Sequence, residues 1–394
     1  MSSGSANAHV VLAQASSYLE DVFSKNPILA PFLEQISQDF QKKLWHELTI
    51  KITSFVKMRE VREQLDLIQF YENFIKSFEV KLNQLSLVRI IVDISSTIQD
   101  LHQRIQFIKA FSQLPKVVEN NEATVTIKAV LAEFHIVAGD LNEAKSVLEQ
   151  TKLTLDATSG AEANVFAAFH RAWAAYYKVK GDFENFYSSA LQYLGYSQTD
   201  TLDKMELLGL ARDLVIAALL GQKLFSLGEL MENEILTSLR NSPEAWLVDI
   251  LAAFNVGNLQ AWYQLQQEYA YLIANSALKD KIQQLTAKAK ILSLIELVFN
   301  KPSGQRIISF EVISQTSDVP IDQVELLVMK ALSLGLLRGT IDEVDQVVSF
   351  TWVQPRILNL QQISQMKTRL ASWVDNVKSS LNLVENETAS ELIS

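Results

Sequence analysis

The sequence predicts a mainly α-helical protein: a solenoid of tetratricopeptide-like helical hairpins, followed by a winged-helix module and a C-terminal helix. Apolar residues recur at three- and four-residue spacing from about Leu19 to Phe299, which is the period of amphipathic helices. Glycine-marked breaks interrupt this pattern at intervals near forty residues, as in helical-hairpin repeats. A short β-rich stretch appears only near the C-terminus, after a second helical pattern.

Composition favours long helices in a chain with room for two or three domains. Of 394 residues, 48% are hydrophobic, which is ample for a buried core. Only 12 glycines and 7 prolines are present, so there are few helix breakers. We expect residues 1–18 to be a flexible N-terminus and residues 19–299 to form the solenoid.

The repeats are marked by Gly139, Gly181, Gly221 and Gly257, which are separated by 42, 40 and 36 residues. Each glycine can adopt the left-handed conformation that ends a helix, and an Asp or Asn after it can cap the next helix. The third break departs from this pattern because Gln222 follows its glycine. The region from about residue 30 to 101 departs most from the period.

Charge and residue chemistry argue against several classes of function. The net charge of −10 has the wrong sign for a surface that neutralises phosphates, and the absence of cysteine excludes disulfides and thiolate sites. The five histidines are scattered singly, without the His-x-His and downstream Asp of a zinc isopeptidase; they are His9, His46, His102, His135 and His170. We therefore predict no catalytic residues, no metal and no cofactor, and interpret His135 and His170 as core or boundary residues.

The chain carries no pattern for export or membrane insertion. Its first basic residue is Lys25, so the N-terminus lacks the positive region of a signal peptide. The most apolar late run, Ile291 to Phe299, is far shorter than the roughly 18 residues that a membrane span needs. We expect no membrane contact and a cytoplasmic and nuclear location.

A winged-helix module is predicted over residues 300–356. The segment "NKPSGQR" is a linker, "ISFEVISQTSDVP" a short helix and turn, and Pro320 the entry to a second helix ended by Gly335. One apolar face of that helix comprises Ile321, Val324, Leu327, Val328, Ala331 and Leu332. The runs "LLRGT" and "QVVSFTW" flank the acidic turn "IDEVD" and predict a hairpin.

This module has the wrong charge for a nucleic-acid reader. Between Arg306 and Arg356 there are four basic residues and seven acidic ones, a difference of −3. DNA readers present cations and amides to bases and phosphates, whereas the predicted wing tip carries three carboxylates. The module is better suited to protein contacts, although an adaptor that binds nucleic acid remains an alternative.

The segment 357–384 predicts a C-terminal helix, and residues 385–394 a frayed tail. Its apolar positions are spaced 3, 4, 3, 4 and 4, close to a heptad pattern; they are Ile363, Met366, Leu370, Trp373, Val377 and Leu381. We call these six residues the C-terminal seam. The seam favours entry into an intermolecular helical bundle; the alternative is that it folds back onto the protein's own solenoid.

Several blocks between Lys42 and Leu358 resemble the 26S proteasome non-ATPase regulatory subunit 13 family, whose members are PCI-domain subunits of the regulatory particle lid. The blocks include "KKLWHELT", "LLGQKLFSLGELMENEIL" and "GTIDEVDQVVSFTWVQPR", the last being the most specific. The resemblance implies a non-catalytic scaffold that supports particle assembly and degradation of ubiquitinated proteins. A PCI subunit of the signalosome or of a translation initiation factor is an alternative of the same class.

The resemblance also implies interface residues. Lid subunits join their winged-helix modules side by side and gather their C-terminal helices into one bundle. Val347, Val348, Phe350 and Trp352 would then contribute to the subunit junction, except where they face inward as core. Ile363, Met366, Leu370, Trp373 and Val377 would enter the bundle. The expected partners are other PCI-domain and lid subunits in a hetero-oligomer, with a ubiquitin-receptor subunit as a further candidate.

Overall fold

The computed structural model describes residues 16–19, 21–24, 29–197, 204–302, 305–355 and 360–391. Residues 1–15 of the predicted N-terminus lie outside this part, and residues 16–18 are helical. The chain divides into two compact units, Met1–Thr201 and Leu202–Ser394. The mainly α-helical fold class is confirmed, with a single three-stranded sheet in the described residues.

The first half of unit 1 consists of short helices around an aromatic core. The helices are α1 (Ala30–Gln41), α2 (Trp45–Lys57), α3 (Arg59–Gln64), α4 (Leu67–Asn73), α5 (Gln84–Ser95), α6 (Leu101–Ser112) and α7 (Pro115–Glu119). Phe74 is fully buried, with ring centroids 5.2 Å from Phe40, 5.2 Å from Phe70 and 5.0 Å from Phe78. Short helices without glycine turns explain why the forty-residue period is not visible here.

The second half of unit 1 contains two helical hairpins. The first pairs α8 (Asn121–Ala138) with α9 (Leu141–Asp156), and the second pairs α10 (Ala163–Lys180) with α11 (Phe183–Tyr196). Gly139 and Gly181 end α8 and α10 in the left-handed conformation, with φ of 89° and 76°. The predicted repeat turns are therefore confirmed at both positions.

The predicted caps after these glycines differ in outcome. The Asp182 carboxylate accepts a hydrogen bond from the Asn185 backbone N–H at 3.2 Å, as an N-cap does. Asp140 makes no such bond to α9, so this predicted cap is wrong. Its carboxylate lies 3.9 Å from Nδ1 of His135 instead.

Unit 2 begins with further helices of the repeat type. They are α12 (Lys204–Leu220), α13 (Gly228–Met231), α14 (Ile235–Arg240), α15 (Trp246–Val256), α16 (Leu259–Glu268), α17 (Ala270–Ala274) and α18 (Ile282–Asn300). Gly257 ends α15 with φ of 69°, and the Asn258 side chain accepts from the Ala261 N–H at 3.0 Å. This hairpin turn has the predicted chemistry.

Gly221 does not form the same turn, because its φ is not positive. The carboxyl end of α12 is instead stabilised by a buried lysine. The Lys288 ammonium donates to the carbonyls of Ala218, Leu219 and Gly221 at 2.6, 3.2 and 2.7 Å. A cation at the negative end of the helix dipole replaces the left-handed glycine.

The winged-helix module contains β1 (Ile307–Ser309), α19 (Phe310–Ser317), α20 (Ile321–Ser333), β2 (Leu337–Asp342) and β3 (Val347–Val353). The sheet is antiparallel, in the order β1-β3-β2. Gly335, with φ of 71°, closes α20: its N–H donates to the Leu332 carbonyl at 3.0 Å and the Leu336 N–H to the Ala331 carbonyl at 3.1 Å. On the predicted apolar face of α20, Val324, Val328 and Ala331 are buried, whereas Ile321 at the start of the helix is 45% exposed.

The last element is α21 (Leu360–Glu391), a helix of 32 residues. It continues through residues 385–391, where the sequence predicted a frayed tail. Glu and Ala in this segment are good helix formers, which favours continuation of the helix once it has started. Across the described residues, no helix is both long and apolar enough to cross a bilayer.

Candidate subunit interface

The C-terminal seam lies open to solvent along α21. All six of its side chains are exposed, and Trp373 at its centre is 64% exposed. At about 1.5 Å per residue, the helix is roughly 48 Å long. An exposed apolar stripe of this length marks an interaction surface.

The seam follows a seven-residue repeat. Ile363, Leu370 and Val377 are each seven residues apart, and the exposed Val384 continues the series. Met366 and Trp373 form the second row, also seven residues apart. This is the pattern of a helix that packs against other helices through interlocking side chains. The sequence left open that the seam packs on the protein's own repeats; in the structure its six side chains are exposed.

The wing divides its four candidate residues between core and surface. Val348 and Phe350 are buried within the winged-helix module, which removes them from the candidate interface. Val347 and Trp352 are partly exposed. The Arg338 guanidinium lies 4.9 Å from the Trp352 ring centroid, a cation–π contact that covers part of the ring. Alternation along β3 sends every second side chain inward, which the sequence alone could not orient.

The edges of the sheet are β1 and β2, because β3 is the central strand. Strand β1 has only three residues, and Ile307 on it is exposed. Strand β1 was not predicted from the sequence, because it lies directly before α19; the two β-branched residues at its start were a signal for it. Free strand edges offer backbone hydrogen bonds to a partner, whereas β3 has none left to offer.

The surfaces that would meet DNA in a nucleic-acid reader are mainly apolar or acidic, and Lys330 is the single Lys or Arg on α20. Helix α20 exposes Leu326 and Met329, at 68% and 51%. At the wing tip, the Asp342 carboxylate accepts from the N–H groups of Val344 and Asp345, each at 3.1 Å. Such surfaces repel phosphates and offer few base-reading groups.

The winged-helix module is attached to the last repeat helices through Asp318. The Tyr263 hydroxyl on α16 donates to the Asp318 carboxylate at 2.9 Å, and the Lys290 ammonium on α18 donates to its carbonyl at 2.7 Å. Asp318 has φ of 49°, a left-handed conformation that Asp tolerates better than most residues. Burial, followed by the bond to Asp318, raises the pKa of Tyr263. These contacts fix the module against α16 and α18.

The described part of the chain holds no cluster of metal-ligating side chains. No three His, Asp or Glu side chains there lie close enough together to hold a metal ion. His135 and His170 are half-buried, as the sequence indicated. His170 stacks on Tyr196 at 5.7 Å, and burial lowers its pKa. His9 lies outside the described residues.

Comparison with known proteins places both parts of the chain in one family. Residues 32–251 match the model of the PSD13 N-terminal repeats, and residues 266–352 match that of the PCI domain. The chain is 37% identical to 26S proteasome non-ATPase regulatory subunit 13 of Dictyostelium discoideum, over 94% of this chain and 97% of that protein. It is 35% identical to homolog A of the same subunit in Arabidopsis thaliana, over 95% and 98% of the two chains.

A third relative has a lower sequence identity, but the match covers nearly as much of both chains. It is the 26S proteasome regulatory subunit RPN9 of Saccharomyces cerevisiae, 33% identical over 90% of this chain and 92% of that protein. The model of the N-terminal repeats is the more discriminating match, because a PCI domain alone fixes only the architecture. Repeats, winged helix and overall length agree, and the chain belongs to the 26S proteasome non-ATPase regulatory subunit 13 family.

Proposed function

We propose that this chain is a non-catalytic structural subunit of the lid of the 26S proteasome regulatory particle. In this role it supports assembly of the particle and thereby ATP-dependent degradation of ubiquitinated proteins. The observation that carries the proposal is the open C-terminal seam in a chain of this family. The six seam side chains are exposed on a helix of 32 residues, so the seam is available to helices of another subunit.

The partners are other PCI-domain and lid subunits, in a hetero-oligomer, with a ubiquitin-receptor subunit as a further candidate. Two surfaces support this choice: the seam on α21, and the sheet edge at β1 beside the partly exposed Val347. The partly exposed Trp352 lies at the other end of β3, opposite Arg338 of β2. The acidic wing tip and the exposed Leu326 favour protein partners over nucleic acid. We place the protein in the cytoplasm and nucleus, where no disulfide is needed.

Affinity purification of the tagged full-length chain, beside a variant truncated after residue 356, tests this function. The full-length chain should recover lid and base subunits in stoichiometric amounts by mass spectrometry. The truncated chain should lose them while its melting temperature changes little, because the seam side chains that are removed are exposed in the monomer. Recovery of signalosome or translation factor subunits instead would assign the chain to a different PCI assembly.

A further inference from the structure

A groove in unit 2 lies between the end of α12, the first half of α18 and the end of α20. Its volume is about 370 Å³, within the range of roughly 300–1,000 Å³ that small binding sites occupy. Leu220, Phe225, Ile291 and Leu334 supply apolar walls. We call it the α12–α18–α20 groove. Its position is far in sequence from α21, and its chemistry is different.

The charge of this groove is opposite to that of the chain. The protein has 45 acidic residues against 35 basic ones, yet no carboxylate lines the groove among the described residues. Its polar lining consists of amides and lysines, including Gln283, Gln284, Lys288 and Lys330. Lys288 donates to three backbone carbonyls and is committed to the end of α12. Lys330 is exposed at the rim and is the cation that a ligand would meet.

The exposed surface of α20 extends the groove in one direction. Leu326, Lys330 and Leu334 are spaced four residues apart and form one row along the helix. Leu326 is 68% exposed, whereas Leu334 is half-buried at the groove wall. No Asp or Glu lies three or four residues from Lys330 on this helix, so no carboxylate of the adjacent turns of α20 pairs with it. Along this row, the cationic Lys330 therefore lies between the apolar Leu326 and Leu334.

We propose that the α12–α18–α20 groove binds a short acidic peptide segment of a partner protein, with an apolar side chain on each side of its carboxylate. One apolar side chain enters the groove beside Leu334, the carboxylate pairs with Lys330, and the second apolar side chain lies on Leu326. Charge complementarity selects this occupant, because an uncharged or basic peptide would not pair with Lys330. The site is separate from the subunit bundle of the proposed function.

Fluorescence anisotropy with the full-length chain tests the proposal. The probe is a labelled peptide containing Leu-Asp-Glu-Asp-Leu, in which alternate extended residues are about 6.6 Å apart, close to one turn of α20. We expect saturable binding that weakens at least tenfold with Lys330→Glu. The same loss is expected when both leucines of the probe are replaced by alanine. Binding should also weaken with added salt.

The matched control is Lys301→Glu, which changes another exposed lysine of unit 2. Lys301 follows the carboxyl end of α18, whereas the groove uses the other end of that helix, so this variant should bind like the unchanged chain. Circular dichroism checks that both variants are folded. Three results would overturn the proposal: no saturable binding at 1 mM probe, on the order of the weakest useful affinities; equal binding of a Leu-Lys-Lys-Lys-Leu probe; or equal loss in both variants. Because the isolated chain is used, failure here leaves the lid function untouched.

Discussion

The aromatic core of unit 1 and the C-terminal seam contain similar side chains but have opposite surroundings. Phe74 is fully buried among three other rings, while Trp373 on α21 is 64% exposed. Burial of a large apolar side chain contributes about 1.5–3 kcal/mol to folding. The core has gained this free energy within the chain, and the seam gains it only on assembly. Hydrophobicity alone does not tell which residues fold the protein and which join it to others.

Phe74→Ala should have the largest effect on monomer stability. It removes a ring from a fully packed site, which costs about 3–5 kcal/mol for this type of substitution. Urea unfolding of the full-length chain, followed by circular dichroism, measures the loss. A loss below about 1 kcal/mol would mean that the aromatic cluster is not tightly packed, and the contrast with the seam would fail.

Trp373→Ala should weaken assembly and leave the stability of the monomer nearly unchanged. We expect incorporation into the lid to weaken by about 2 kcal/mol or more, as for an anchor residue of an interface. Monomer stability should change by no more than about 0.5 kcal/mol, because the side chain is on the surface. Competition between tagged variant and unchanged chain during assembly measures the first quantity, and thermal melting the second.

Leu383→Ala is the matched control for the seam. Leu383 is also exposed on α21 but lies on another face of the helix, outside the seven-residue rows. It should compete for incorporation almost as well as the unchanged chain. If both variants lose incorporation equally, general hydrophobicity of α21 and not the seam drives assembly.

Gly257→Ala should destabilise the monomer more than Gly139→Ala. Both glycines are left-handed, which costs an alanine about 1–2 kcal/mol. A Cβ on Gly257 would also lie 2.9 Å from the Leu292 carbonyl oxygen, whereas one on Gly139 would meet open space. We expect an additional loss of about 1–3 kcal/mol at Gly257 from this overpacking. Equal losses in urea unfolding would show that α18 can move away from the turn.

The smallest expected difference is in the stability of two variants at equivalent positions, each directly after a glycine that ends a helix. Asn258→Ala removes a side-chain cap and should cost about 1 kcal/mol. Asp140→Ala removes no cap hydrogen bond to α9, so its cost should be lower. Thermal melting of the two variants beside the unchanged chain gives the comparison, and a larger loss for Asp140→Ala would assign its stabilising role to the contact with His135.

The sequence predicted the features that depend on local chemistry. Left-handed glycine at Gly139, Gly181 and Gly257, and the closing turn at Gly335, follow from the steric freedom of glycine beside helix ends. The heptad spacing of α21 was visible because spacing survives without tertiary structure. The same reasoning failed at Gly221, where Lys288, 67 residues away, ends the helix. A contact between residues so far apart leaves no local signal.

The sequence also predicted only part of the candidate interface. The seam was identified by its spacing, but the inward positions on the wing were not, because strand alternation can be read in two registers. The structure shows that Val348 and Phe350 are core residues of β3, the strand that pairs with β1 on one side and β2 on the other. The α12–α18–α20 groove was invisible in the sequence, since its walls come from three separated helices.

On an unassembled copy of this subunit, the open seam is an exposed apolar surface that other proteins can recognise. While α21 is alone, its apolar rows are displayed to every chaperone and degradation factor in the surrounding solution. In the proposed bundle the same side chains would be buried. Surplus copies of the subunit would then differ from assembled ones by an exposed apolar surface that quality-control factors can recognise.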